Sequence, residues 1–205
     1  MGLNALENVI AFLVSIIGLL SCLFRYIETP RRGWLYLSLF YLSCLMSDFY
    51  WATYYLVMHT NPDNSPVFAS FGWNISCLFL YIIILSIRNP KTKNFFHPVM
   101  LLPVPVTFGL FILCSHNGGI INNLWQSLGA AFVSFVTLKA LMYWFVNRKN
   151  NAHFPHFNAL LLLYIFTQCG IWIFSSYDLA NSTIDPYYIV VFASYIPILL
   201  FPDGM

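Results

Sequence analysis

Positive charge in this chain is confined to alternate connections between its apolar segments. Eight of the nine Lys and Arg residues flank these connections: Arg25, Arg31, Arg32, Arg88, Lys91, Lys93, Arg148 and Lys149. The ninth, Lys139, lies near the same end of its apolar segment, from which a long side chain can reach the membrane surface. The opposite side of the predicted bundle has no Lys or Arg, and its charges are those of Glu7, Asp63, Asp178 and Asp185. Cytoplasmic loops hold the Lys and Arg excess in membrane proteins, so the pattern predicts orientation as well as spans.

Seven apolar segments are close to the length of a membrane-spanning helix, about 20 residues. They cover residues 5–25, 34–58, 67–87, 98–114, 120–146, 159–176 and 187–201. Hydrophobic residues make up 60% of the chain and charged residues 8%, whereas soluble domains carry roughly a quarter charged residues. We therefore expect an all-α integral membrane protein with seven transmembrane helices, N-terminus outside and C-terminus cytoplasmic. The spans and their loops use residues 1–205 as a single domain, multi-pass in the cell (inner) membrane.

Several function classes find little support in the sequence. The chain has no glycine-rich phosphate loop and no nucleophile elbow, so we expect no enzymatic activity and no cofactor. His153 and His156 stand in a connection without further metal ligands nearby, so no metal site is expected. The net charge of +2 is small and located in the inner connections, which reflects topology and does not favour nucleic-acid binding. The five cysteines fall within or at the ends of spans, as packing residues do.

Asp48 is the one acidic residue deep inside an apolar segment. An aspartate at a helix centre costs roughly 2.5 to 3.5 kcal/mol on insertion scales. Such residues usually face the bundle interior or a water-filled cavity, where partners offset that cost. Three roles remain open for Asp48. It could join two helices by a hydrogen bond as a neutral acid, contact a ligand or ion, or relay protons.

Other polar and aromatic residues fall at a similar depth, in the predicted outer half of the spans. Cys44, Asp48, Trp51 and Tyr55 share one helical face at steps of three and four. The candidate ligand-binding residues are Asp48, Trp51, Tyr55, Asn74, Gln126, Gln168, Trp172 and Tyr195. Apolar walls with a few polar contacts are typical of small-molecule sites, so the pattern predicts a pocket open to the outer side. The alternative is that the amides only form hydrogen bonds between helices.

The fourth span contains two prolines, Pro103 and Pro105, near its inner end. Proline inside a helix removes a backbone hydrogen bond and clashes with the preceding turn. The sequence therefore predicts a kink at this position.

Three short strings carry a resemblance to a known group of proteins. They are Pro30-Arg31-Arg32-Gly33-Trp34, Ser47-Asp48-Phe49-Tyr50-Trp51 and Phe71-Gly72-Trp73-Asn74. With these strings and the predicted topology, the chain resembles the N-terminal seven-helix sensory regions of bacterial signalling proteins. Those regions precede a cytoplasmic histidine kinase or diguanylate cyclase domain. The resemblance implies a receptor whose output domain is absent from this chain, either downstream of it or on a separate partner.

Three functions remain as hypotheses, and one of them is a structural subunit of a larger membrane complex. The other two are more specific. The first is a non-enzymatic sensor that binds a small molecule from the outer side and acts on a cytoplasmic output domain. Its partners would be membrane lipids, that ligand, the output domain and, as an open alternative, a second copy of the chain. The second is a small transporter with three helices, a connector and three helices, in which Asp48 is a proton or cation site. Transporter sites usually lie near the midplane between repeats.

Overall fold

The computed structural model describes residues 3–58, 67–87, 90–115, 120–148, 154–176 and 185–205. Within these ranges every regular element is helical and no strand occurs. The α-helices are α1 (Leu3–Glu28), α2 (Arg32–Thr53), α3 (Val67–Ile87), α4 (Pro103–Cys114), α5 (Ile120–Asn147), α6 (His156–Ser176) and α7 (Pro186–Gly204). A π-helical turn, Tyr54–Met58, extends α2, and 3-10 turns cover Pro90–Thr92 and Pro98–Leu101. The predicted outer turns at 59–66, 116–119 and 177–184 lie outside the described residues.

Four helices of the described part are long and apolar enough to cross a membrane: Leu6–Glu28, Asn123–Asn147, His156–Ser175 and Pro186–Gly204. They indicate a multi-pass membrane protein. Helix α2 is not among them, because its serines, tyrosines and Asp48 lower its hydropathy. The apolar stretches in Phe71–Ile87 and Pro98–Cys114 are shorter. Seven spans and their orientation stay predictions.

The structure divides into two compact units, Met1–Ile83 and Ile84–Met205. In the first unit α1 packs along α2 across the short connection 29–31. Gly18 of α1 faces the ring of Tyr41, which is fully buried. Gly72 of α3 faces the Ser47 hydroxyl, and an added Cβ would stand 2.7 Å from the backbone carbonyl of Ser43. Glycines at these two positions therefore let the helices approach closely.

One face of α1 stays uncovered by the first unit. Leu13, Ile17, Leu20, Phe24 and Ile27 recur at steps of four and three and are all at least half exposed. Residues with this spacing form one stripe along a helix. In a helix that is apolar enough to cross a membrane, such a stripe suits the hydrocarbon of the bilayer.

The second unit is built on α6 and α7, with α4 and α5 packed against α6. Phe201 of α7 lies between the rings of Phe157 and Tyr164, with centroids 5.4 and 5.6 Å away. Gly204 allows the end of α7 to approach the start of α6, since an added Cβ would stand 3.2 Å from the backbone of Phe157. Pro197 is buried inside α7.

The prolines of the fourth span mark a helix start, which differs from the expected kink. The chain forms a 3-10 turn over Pro98–Leu101, and α4 begins at Pro103. Proline is well tolerated in the first helical turn, where its missing N–H would have no intrahelical partner. His97 caps the 3-10 turn by accepting a hydrogen bond from the Val99 amide at 3.4 Å.

Candidate functional site

Asp48 joins helices within the first unit. Its side chain on α2 is 7% exposed. The Ser15 hydroxyl of α1 donates a hydrogen bond of 2.6 Å to Asp48 Oδ2. The side chain of Trp73 on α3 is a second hydrogen-bond partner of this carboxyl group. Two hydrogen bonds offset part of the free-energy cost of removing the carboxyl group from water. Each partner also links another helix to α2.

A small polar layer lies one turn from Asp48 on α2. Cys44 is buried and has Ser76 of α3 as a side-chain hydrogen-bond partner. The Ser76 hydroxyl itself donates to the carbonyl of Trp73 at 2.7 Å. All five cysteines, Cys44 included, are free thiols. The α2–α3 contact therefore places polar groups beside Asp48.

The end of α2 carries an aromatic cluster, which we define as Tyr50, Trp51, Tyr54 and Tyr55. Trp51 and Tyr55 stack with centroids 6.0 Å apart and planes 19° apart, and Tyr50 and Tyr54 lie 4.9 Å apart. Each pair is separated by four positions, which are neighbours on a helix surface. Tyr54 and Tyr55 open the π-helical turn. Such turns are rare and often occur at functional sites.

The indole N–H of Trp51 stands out within the aromatic cluster. Trp51 Nε1 is buried and has no hydrogen-bond partner among the residues that the structure describes. A buried donor without an acceptor costs about 1 to 3 kcal/mol. Since Trp51 lies one turn after Asp48, a donor and an acceptor group stand close together on the same helix.

We expect Trp51→Phe to leave the stability unchanged or to raise it by up to about 1 kcal/mol, because it removes a buried donor for which the described residues provide no acceptor. Thermal unfolding of the purified protein in detergent measures the change. Trp172→Phe is the matched control, since it removes an indole N–H that does have an acceptor, and it should lower the melting temperature. Equal destabilisation by both variants would contradict this assignment of the two indoles.

The predicted site residues fall into both units. Asp48, Trp51, Tyr55 and Asn74 belong to the first unit, and Gln126, Gln168, Trp172 and Tyr195 belong to the second. In the first unit the structure brings Trp51 and Tyr55 together, and Asn74 is half-buried on α3 beside Trp73. A pocket shared by all eight residues stays a prediction.

In the second unit, Trp172 takes part in contacts between helices. Its Nε1 donates to Asn123 Oδ1 at 2.9 Å, and Asn123 Nδ2 donates to the carbonyl of Cys114 at 3.1 Å. All three residues are buried. These two consecutive hydrogen bonds thus join the end of α4 to α5 and α6. Gln126, Gln168 and Tyr195 are half-buried, and Tyr195 packs against Phe192.

Sequence reasoning missed Ser15 as a partner of Asp48. A usable signal was present, because Ser15 and Asp48 lie at similar distances along the chain from the short connection 29–31. Antiparallel neighbours joined by a short loop bring such residues to the same depth. A serine in an otherwise apolar helix at that depth is a natural hydrogen-bond donor for the carboxyl group.

Metal and basic groups add little to the site. Among the described residues no group of three or more His, Cys, Asp or Glu side chains could hold a metal ion. Lys139 Nζ donates to the carbonyl of Lys93 at 3.0 Å. Its side chain therefore reaches the connection between α3 and α4.

Comparison with known proteins adds no identity. No protein-family model matches the chain, and no curated protein or solved structure matches it significantly. Evidence about its function therefore comes from its own residues.

Proposed function

We propose that this chain is a non-enzymatic membrane sensor, in which the Asp48 region binds a small molecule from the outer side of the cell membrane. The signal passes to a cytoplasmic output domain. The observation that carries the proposal is the pairing of a buried carboxyl group, Asp48, with a buried indole donor, Trp51, that has no hydrogen-bond acceptor among the described residues.

The two groups suggest the chemistry of the ligand. A ligand acceptor atom would take the Trp51 N–H, and a ligand donor or cation would take the Asp48 carboxyl group. The stacked ring of Tyr55 supplies an apolar surface for the rest of a small ligand. Few polar contacts within apolar walls are what small-molecule sites usually provide.

Binding at Asp48 would be felt by other helices. The Ser15–Asp48 hydrogen bond links α1 to α2, and Trp73 links α3 to the same carboxyl group. A ligand that replaces one of these partners would favour a different helix packing. It could shift that equilibrium only by the difference in its affinity for the two packings.

The test joins the full chain to a reporter enzyme at its C-terminal end and measures output in cells exposed to a panel of small molecules. We expect Asp48→Asn to change the response to an active compound by about fivefold or more, the lower range of coupling between sites. The variant should be recovered folded at the wild-type level. Ser194→Ala is the control, because its hydroxyl donates to the Val191 carbonyl of its own helix. An unchanged response in folded Asp48→Asn protein would refute this role.

A transporter is the second candidate, favoured by the presence of a buried carboxyl group held by a serine hydroxyl. Such groups form proton and cation sites in transporters. Proteoliposomes that contain a pH-sensitive dye distinguish the two candidates. Proton flux under a pH gradient that disappears in Asp48→Asn would support transport, and the absence of flux in the wild type would support the sensor.

A further inference from the structure

A groove lies at the junction of α1 and α2 in the first unit. Its volume is about 470 Å³. The lining residues are Ser21, Phe24, Arg25, Glu28, Thr29 and Trp34. They come from the last two turns of α1, the short connection and the first turn of α2. The groove is distinct from Asp48, which lies much further along α2.

The groove is built around an arginine on an aromatic platform. The Arg25 guanidinium carbon lies 5.3 Å from the centroid of the Trp34 ring, within the range of a cation–π contact. Trp34 is buried, so the platform is fixed in the helix packing. Stacking on a fixed ring restricts the guanidinium group. Its planar fork matches the oxygens of a phosphate group in two parallel hydrogen bonds.

The surrounding charge is positive. Arg31 and Arg32 are exposed on the adjoining connection and at the start of α2. Glu28 is the acidic member of the lining. The segment 25–34 therefore carries three guanidinium groups and one carboxylate. Basic clusters directly beside a membrane span attract anionic lipids, by about 1 kcal/mol for each Lys or Arg near the surface.

The position of the groove fits a lipid headgroup. Helix α1 is long and apolar enough to cross a membrane, and the groove lies at its C-terminal end. Phe24 lines the groove, and Leu20 and Ile27 are exposed on the same face of α1. A lipid with its phosphate at Arg25 could lay its acyl chains along this apolar face. A soluble anion would leave the face uncovered.

We propose that this groove binds the headgroup of an anionic glycerophospholipid, with its phosphate on Arg25 and its headgroup hydroxyls on Glu28. The Glu28 carboxylate accepts hydrogen bonds, so a headgroup with free hydroxyls, such as that of phosphatidylglycerol, satisfies both charged groups. The basic residues of the segment belong to the predicted cytoplasmic side, so the lipid would come from the inner leaflet. This proposal does not depend on the sensor function.

The test is native mass spectrometry of the full chain, titrated with phosphatidylglycerol, phosphatidylcholine or phosphatidylethanolamine. We expect phosphatidylglycerol to bind most tightly. Arg25→Gln should weaken that binding about tenfold, as expected for the loss of a charge-assisted bidentate contact. Arg148→Gln is the control, because it removes the same charge from a residue that does not line the groove, and it should change the affinity by less than about twofold.

One further variant and one competitor complete the experiment. Arg25→Lys keeps the charge but loses the planar fork, so an intermediate affinity is expected even if the glutamine variant fails to fold. Equal affinity for the three lipids, or a folded Arg25→Gln protein that binds phosphatidylglycerol like the wild type, would overturn the proposal. Displacement of the lipid by inorganic phosphate at matched concentration would also overturn it, since the groove would then be a site for a free anion.

Discussion

Gly18→Ala should lower the stability of the protein by about 2 kcal/mol. The added Cβ would overlap the ring of Tyr41, which is 0% exposed and packs edge-on against the buried ring of Phe40. Because this ring is enclosed, it cannot move aside without disturbing the α1–α2 contact. Adding a methyl group to a close-packed interior typically costs about 1 to 3 kcal/mol. Thermal unfolding in detergent should show the loss as a melting temperature roughly 5 °C below that of the wild type.

Gly109→Ala is the matched control for this prediction. Gly109 also lies in a helix, α4, but apart from its neighbours and its own helix backbone, no atom of the described residues stands within 4 Å of an added Cβ. Alanine is the better helix former, so this variant should be neutral or slightly more stable. If both glycine variants unfolded at the same temperature, close packing at Gly18 would not be the cause of any loss.

Asn123→Ala should destabilise the protein by a similar amount, about 2 kcal/mol. The variant removes the acceptor of the Trp172 indole and the donor to the Cys114 carbonyl, and both groups stay buried. A buried polar group left without a partner costs about 1 to 3 kcal/mol, although hydrogen bonds between membrane helices average about 0.6 kcal/mol. Because the variant loses two hydrogen bonds at once, we expect a total cost of about 2 kcal/mol, between the totals that these two figures give. Thermal unfolding under the same conditions measures it.

Ser127→Ala is the control on the same helix, one turn further along α5. Ser127 is buried like Asn123, but its hydroxyl donates to the carbonyl of Leu124 in its own helix. Its loss should therefore have little effect. A double-mutant cycle of Asn123→Ala with Trp172→Phe should give a coupling energy of about 1 kcal/mol. Additive effects of the two variants would show that this hydrogen bond does not stabilise the packing of α5 against α6.

Helix positions follow closely from local sequence. Every predicted span overlaps an α-helix of the described part, because apolar runs of this length form helices without reference to distant residues. The fourth span differs from the prediction at its start, where a kink was expected. Pro103 and Pro105 can kink a helix or begin one, and the preceding turn decides between these outcomes. Here the 3-10 turn at Pro98–Leu101 leaves Pro103 as the first residue of α4.

The candidate site was less accessible to sequence reasoning. Asp48 stands out in the sequence because a charged side chain in an apolar run is costly wherever it packs. The same argument cannot separate Trp51 from Trp172, since both are tryptophans near polar residues. The structure gives Trp172 an acceptor in Asn123 and leaves the Trp51 N–H without one among the described residues. That difference depends on which residue of a neighbouring helix lies opposite each indole.

The sequence by itself determined the helical class, the approximate bounds of the helices and the unusual position of Asp48. These properties depend on hydropathy and charge along the chain, which are set by residues close to one another in sequence. Only the tertiary structure decided that Ser15 is the donor to Asp48, that Asn123 joins Trp172 to Cys114, and that Arg25 lies over Trp34. Such contacts depend on the rotation and axial register of each helix. Close packing at positions such as Gly18 and Gly72 sets that register. Hydropathy and charge along the chain do not predict it.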